Sequence, residues 1–85
     1  MTINTKIYNA KVNIFLKPKI NDPQGITVKS ALHSLNFNVE NVRVGKFIEI
    51  SIEANSTEAA LDQVTQMCEK LLANPIIEQF KVNVE

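Results

Sequence analysis

Two segments of this chain alternate between apolar and polar side chains, and this alternation constrains the fold more than any other feature. From Ala10 to Leu16, and again from Phe47 to Ala54, every second residue is apolar. Because successive side chains of a strand point to opposite faces of a sheet, a period of two predicts strands with one buried face. The apolar residues Phe80, Val82 and Val84 follow the same period and predict a final strand.

The two segments between these strands have the spacing of amphipathic helices. The first begins at Asp22-Pro23-Gln24, because aspartate is a good N-cap and proline at the first helical position loses only an unpartnered amide. Asn36 suits its left-handed end. The second follows Asn55-Ser56-Thr57-Glu58, a signal compatible with a capping box if Asn55 or Ser56 is the N-cap, and ends at Asn74-Pro75. The apolar stripes are Val28, Ala31, Leu32 and Leu35 in the first helix and Leu61, Val64, Met67, Cys68, Leu71 and Leu72 in the second.

A fourth strand is predicted from about Val39 to Val44, joined to the next by a two-residue hairpin loop at Gly45-Lys46. The order is then β-α-β-β-α-β, a ferredoxin-like α+β fold with a four-stranded antiparallel sheet and both helices on one face. We expect a single domain over residues 1–85, since 85 residues are few for two cores. The uncovered face and free edges suggest assembly. That face carries Lys11, Asn13, Phe15, Lys17, Arg43, Phe47, Glu49, Ser51, Glu53, Lys81 and Asn83.

Charge and hydropathy argue against nucleic-acid and membrane partners. Nine Lys and Arg balance nine Asp and Glu, so the chain lacks the basic surface that phosphates require. RNA-recognition modules use the same element order and stack bases on aromatic residues such as Phe15 and Phe47, but Glu49 and Glu53 would face the phosphates. No apolar run is long enough to cross a bilayer, and Met1 to Tyr8 lack the features of a leader peptide. We expect a soluble protein of the cytoplasm.

No group of residues predicts catalysis, cofactor binding or metal binding by this chain. His33 has no nucleophile or orienting acid proposed by the sequence. Cys68 lies on an apolar helix face, where a thiol acts as a small hydrophobe, and with His33 it supplies too few ligands for zinc. Gly25 belongs to no phosphate-binding motif; instead, a helix that begins at Pro23 needs a small residue early, against a neighbouring backbone.

Three stretches, in order and with compatible spacing, resemble a known family. They are Leu16-Lys17-Pro18 with Asp22-Pro23-Gln24-Gly25, then Val42 through Ile50, and finally Cys68 through Glu78. Together with Ala31-Leu32 and Leu35, they resemble the PurS subunit of phosphoribosylformylglycinamidine (FGAM) synthase over nearly the whole chain from about Lys11. Asn36 stands where the family has glycine, a mild departure because asparagine also adopts the left-handed cap.

The resemblance implies a subunit without catalytic residues in an ATP-dependent ligase complex of de novo purine biosynthesis. That complex converts formylglycinamide ribonucleotide, glutamine and ATP to the amidine. In the family, a glutaminase subunit (PurQ) releases ammonia and a synthetase subunit (PurL) consumes it, so glutamine and ATP with Mg bind outside this subunit. The small subunit bridges PurQ and PurL, assists ammonia transfer, and self-associates as a homodimer or a tetramer.

Partner contacts are expected at two places. The first is the turn region Arg43, Gly45, Lys46 and Phe47, and the second is the Asn74-Pro75 corner after the long helix. Each also has a structural explanation, in the hairpin at Gly45 and in the helix stop at Asn74-Pro75. The sequence leaves open an alternative, a stand-alone ferredoxin-like dimer that senses a small ligand between its subunits. The register of the three matching stretches favours the PurS-like subunit.

Overall fold

The computed structural model describes residues 5–85, so the expectation about Met1 to Tyr8 lies partly outside the described residues. It has two helices and one antiparallel sheet of three strands, in the order β2-β1-β3. The α+β class is confirmed. The elements are β1 (Lys6–Leu16), α1 (Pro23–Ser34), β2 (Lys46–Ala54), α2 (Thr57–Met67) and β3 (Glu78–Val84), and α2 continues into a π-helical turn at Cys68–Leu72.

The alternation predicted from the sequence is present in all three strands. One face of the sheet packs against α2 and the π-helical turn, with Val12, Val64 and Cys68 fully buried between them. The opposite face is uncovered, and Phe15 and Phe47 are exposed on it. Because β1 pairs on both sides, its inward residues lie at the centre of the apolar core.

The helix ends follow the predicted capping residues. The Asp22 carboxylate accepts the N–H of Gly25 at the start of α1, and Asn36 ends that helix with φ 72°. The N–H of Phe37 then bonds the carbonyl of Leu32 (2.9 Å), which completes a Schellman motif. At α2 the N-cap is Ser56, whose hydroxyl accepts the N–H of Ala59. A full capping box would need an acid or amide at that third helical position, so the box is incomplete.

The predicted strand at Val39–Val44 and the hairpin at Gly45-Lys46 are wrong. Within residues 5–85 this segment pairs with no strand, and Gly45 does not have the positive φ of a type II′ turn. The segment is held from α1 and the end of β1 instead. His33 Nε2 donates to the carbonyl of Val39 (2.9 Å), and the guanidinium of Arg43 donates to the carbonyl of Lys17 (3.0 Å).

The prediction that α1 covers the sheet is also wrong for the single chain. Its apolar residues face solvent, with Ile26 57% and Leu35 65% exposed, and only α2 packs on the sheet. The molecule is accordingly elongated, at 58 × 26 × 14 Å with a radius of gyration of 17.1 Å. A compact chain of this length would have about 12 Å. In the described part of the chain, neither helix has the length and apolar character needed to span a bilayer.

Candidate partner-contact site at the end of the sheet

Asp22 connects the beginning of α1 to a segment 22 residues later in the chain. Its side chain is only 5% exposed, and its two oxygens accept different backbone N–H groups. Oδ1 accepts from Gly25 (2.9 Å) and Oδ2 accepts from Val44 (2.8 Å). The Nε of Arg43 lies 3.9 Å from the same Oδ2. We refer to Asp22, Gly25, Arg43, Val44 and Gly45 as the junction.

The contacts of the junction lower the pKa of Asp22. The largest cause is the hydrogen bond from the Val44 N–H, followed by that from Gly25; the positive charge of Arg43 adds to them, while burial opposes them. A carboxyl with a lowered folded-state pKa stabilises the fold above its unfolded-state value of about 3.9. That contribution is lost as the pH falls through the lower, folded-state pKa.

We predict that the Asp22 carboxyl carbon titrates with a midpoint below about pH 3.9 in NMR spectra of the folded protein. The amide proton shift of Val44 should follow the same midpoint, because this N–H donates to the titrating oxygen. In an Arg43→Met variant the midpoint should rise, since the favourable charge is lost. A midpoint at or above the unfolded-state value would contradict the described geometry. So would an amide proton shift of Val44 that stays constant while Asp22 titrates.

Both glycines of the chain lie where backbone segments approach closely. A Cβ on Gly25 would collide with the carbonyl oxygen of Val42 and would lie 2.8 Å from Asp22 Oδ2. A Cβ on Gly45 would lie 2.6 Å from the carbonyl oxygen of Ile14. The expectation that Gly25 packs against a neighbouring backbone is confirmed. Gly45 serves close packing of the junction against β1, and this replaces its predicted role in a hairpin.

Glu78, which the sequence did not single out, links the two predicted contact regions. Its Oε2 lies 3.7 Å from Lys46 Nζ, and its Oε1 accepts the N–H of Asn74 (2.7 Å). Asn74 in turn accepts the N–H of Ile76 on its side chain and that of Glu78 on its carbonyl. The Asn74-Pro75 corner is therefore a bonded turn beside the first residue of β2.

The structure gathers five of the six predicted contact residues at this end of the sheet and leaves one apart. Arg43 and Gly45 belong to the junction, while Lys46, Asn74 and Pro75 lie around Glu78. A cavity of about 210 Å³ lies between the two groups and is lined by residues that include Asp22, Val44, Lys46 and Glu78. Phe47 is 57% exposed on the uncovered sheet face, opposite Asn13 in register.

The two side chains with the most reactive groups, His33 and Cys68, have structural roles. His33 uses its Nε2 to hold the backbone of Val39. Cys68 is fully buried, and burial, with the charge of Glu69 as a smaller cause, raises the pKa of its thiol. Among residues 5–85 no three His, Cys, Asp or Glu side chains cluster in a way that would hold a metal ion. The arrangement leaves the charged side chains of Arg43 and Lys46 accessible at the end of the sheet.

The family model for PurS, described as phosphoribosylformylglycinamidine (FGAM) synthase, matches residues 9–85. The chain belongs to the PurS family. Phosphoribosylformylglycinamidine synthase subunit PurS from Bacillus subtilis is 45% identical over 80 residues, which are 93% of this chain and 94% of that protein.

Solved PurS structures have the same fold. The crystal structure of PurS from Methanocaldococcus jannaschii superimposes with a TM-score of 0.83 at 42% identity, and the match covers 92% of this chain and 95% of that one. A chain in the structure of PurLQS from Thermotoga maritima gives a TM-score of 0.87 at 28% identity, covering 94% and 99%. The resemblance to the PurS subunit of FGAM synthase is thereby confirmed, and with it the assignment to purine biosynthesis. The first two stretches that carried it meet in space at the junction, through Asp22 and Val44.

Proposed function

We propose that this PurS chain is the non-catalytic bridging subunit of an FGAM synthase in the cytoplasm, where it holds a PurQ-type glutaminase and a PurL-type synthetase together. The match to a chain of the Thermotoga maritima PurLQS structure carries this proposal, because it covers almost the whole of both chains. The sheet-end residues Arg43, Gly45, Lys46, Asn74 and Pro75, with Phe47 on the open face, are the proposed contacts with those partners.

The contribution of such a subunit is geometric. Ammonia in neutral water is mostly protonated and is then no nucleophile, so a shielded route from glutaminase to synthetase preserves its reactivity. A bridging subunit contributes by holding the two active sites in register, which is a positioning effect. Glutamine and ATP with Mg would bind to the larger subunits, and this chain would hold no cofactor of its own.

Reconstitution of the synthase tests the bridging role. Glutamine-dependent turnover is measured with the glutaminase and the synthetase, with and without this chain, and ammonia-dependent turnover serves as the control. We expect glutamine-dependent turnover only when the chain is present, while the ammonia reaction hardly changes. If neither turnover rate changes when the chain is added, the proposed bridging function is wrong.

We also propose that the chain forms a homodimer, with a tetramer as a larger assembly. Three features of the single chain support this: the exposed apolar face of α1, the outer edge of β2, which pairs with no strand among residues 5–85, and the segment 39–44, which is likewise unpaired. The backbone N–H groups of residues 38–43 have no partner among residues 5–85. A second copy that pairs this segment with β2 would provide the fourth strand of a ferredoxin-like sheet.

Changes on the apolar face test self-association. We expect the double variant Leu35→Ser, Phe37→Ser to weaken the homodimer at least tenfold, because both side chains are more than half exposed in the single chain and would be buried by a partner. Sedimentation velocity over a range of concentrations gives the dissociation constant. The control is Leu71→Ser, which changes an 81% exposed residue of the π-helical turn. Equal effects of the two variants would contradict an interface at α1.

The alternative of a stand-alone ligand-sensing dimer gains no support from the cavity at the sheet end. Its volume of about 210 Å³ lies below the range of roughly 300–1,000 Å³ that is usual for small-molecule sites.

A further inference from the structure

We infer that Asp22 is a positioning residue for assembly, which sets the direction in which α1 and the segment after it leave the sheet. This inference rests on the self-association proposed above, since its consequence is that the apolar face of α1 is presented to a second copy. It assigns a role in the complex to a carboxylate that the sequence marks only as a helix cap.

Apolar packing does not orient α1. Ile26, Val28 and Leu35 are all exposed, and among residues 5–85 no residue of α1 belongs to the apolar cluster on the sheet. Its orientation must therefore come from its two ends. Among residues 5–85, the carboxyl end is bonded only to the segment that follows it, through Asn36, Phe37 and the His33 ring. This leaves the amino end, at Asp22, as the connection to the sheet.

The junction connects three separate parts of the chain: the start of α1, the segment at residues 43–44 and the end of β1. Asp22 bonds its own helix through Gly25 and bonds the distant segment through Val44. Arg43 faces the same carboxylate and donates to the carbonyl of Lys17, the residue that follows β1. The Lys17 N–H bonds the carbonyl of Ile77, just before β3 (2.9 Å).

The capping role and the positioning role of Asp22 use different oxygens of its carboxylate. Asparagine is as good an N-cap as aspartate, so Asp22→Asn keeps an acceptor for the N–H of Gly25. An amide has only one oxygen for the two N–H groups: when that oxygen stays on Gly25, as in an N-cap, the NH₂ faces the N–H of Val44, and two donors cannot bond each other. The variant should leave the start of α1 intact and remove only the connection to Val44.

The matched control is Ser56→Ala. It removes the N-cap bond of α2 to the N–H of Ala59 (3.0 Å), a local bond that connects no distant segments. The two variants therefore separate the loss of a helix cap from the loss of the connection between α1 and the sheet.

The test uses the full chain and three measurements: residual dipolar couplings of the amides in α1 and in the sheet, hydrogen exchange at Val44, and the homodimer dissociation constant. For Asp22→Asn we expect exchange at Val44 to be about tenfold faster, because a hydrogen bond to a charged group is lost. We expect the α1 couplings to depart from the alignment tensor of the sheet. The homodimer dissociation constant should rise about tenfold or more, while amides of α2 and β1 keep their protection. Ser56→Ala should speed exchange only in the first turn of α2, at Ala59 most of all.

The inference is overturned if Asp22→Asn leaves the α1 couplings on the tensor of the sheet. It is equally overturned if α1 is released but the dissociation constant does not change, or if Ser56→Ala weakens the homodimer as much. If the unmodified protein does not self-associate at all, the proposed homodimer fails, and the couplings still decide whether Asp22 orients α1. The two failures are therefore distinguishable.

Discussion

Replacement of Ile14 with alanine is expected to lower the free energy of unfolding by about 2–5 kcal/mol. Ile14 is 1% exposed on the central strand and belongs to the core cluster formed with α2 and the π-helical turn. The loss combines the transfer free energy of the deleted atoms with the cost of a cavity. A domain of this size has a thin core and a total stability of roughly 5–15 kcal/mol, so the variant should lose a large part of its stability.

Denaturant unfolding followed by circular dichroism measures this change, and Ile7→Ala on the same strand is the control. Ile7 points to the uncovered face and is 64% exposed, so its truncation should change the stability by no more than about 0.5 kcal/mol. Similar losses in the two variants would mean that α2 does not cover the face of the sheet on which Ile14 lies.

Replacement of Gly25 with alanine is expected to destabilise the α1 segment by about 1–3 kcal/mol, the usual cost of overpacking. Alanine in a helix is intrinsically favoured over glycine by about 1 kcal/mol, so helix propensity alone predicts the opposite sign. The steric collision determines the sign of the stability change, because the new Cβ would meet the carbonyl oxygen of Val42, which is backbone and cannot rotate away. The carboxylate of Asp22 is crowded as well, so its bond to Val44 should weaken.

Hydrogen exchange at Val44 and at Ile26, whose N–H bonds the Asp22 carbonyl (3.0 Å), measures this effect. The control is Ser30→Ala, an exposed substitution in the same helix that adds no contact and should change protection by no more than about 0.5 kcal/mol. Faster exchange at both amides in Gly25→Ala only is the expected result. Unchanged or slower exchange would show that the backbone at Val42 moves to accommodate the new Cβ without a loss of stability.

Local patterns predicted the parts of this fold that local physics decides. The alternation of apolar and polar residues was sufficient to predict β1 and β2, because every second residue of such a strand faces the core. Asp22 and Asn36 were predicted as helix ends, and Ser56 as one of two candidates with Asn55, because capping involves groups only a few residues apart. The family resemblance added the functional assignment, which the physical patterns alone do not contain.

The same reasoning failed where a pairing partner decides the outcome. The residues Val39–Val44 read as a strand because Val42 and Val44 alternate, but a strand exists only where another strand accepts its hydrogen bonds. In the single chain the segment bonds to the ring of His33 and the carboxylate of Asp22. The apolar stripe of α1 likewise predicts a covered face without saying which molecule covers it.

The sequence by itself determined the strands β1, β2 and β3, the helix-start regions and the family of this protein, since each of these depends on residue order or spacing along the chain. Only the tertiary structure decided that Asp22 bonds Val44, that Glu78 connects Lys46 to Asn74, and that α1 stands apart from the sheet. These contacts join residues far apart in the chain, and their geometry follows from how the segments pack, for which short-range patterns carry no information.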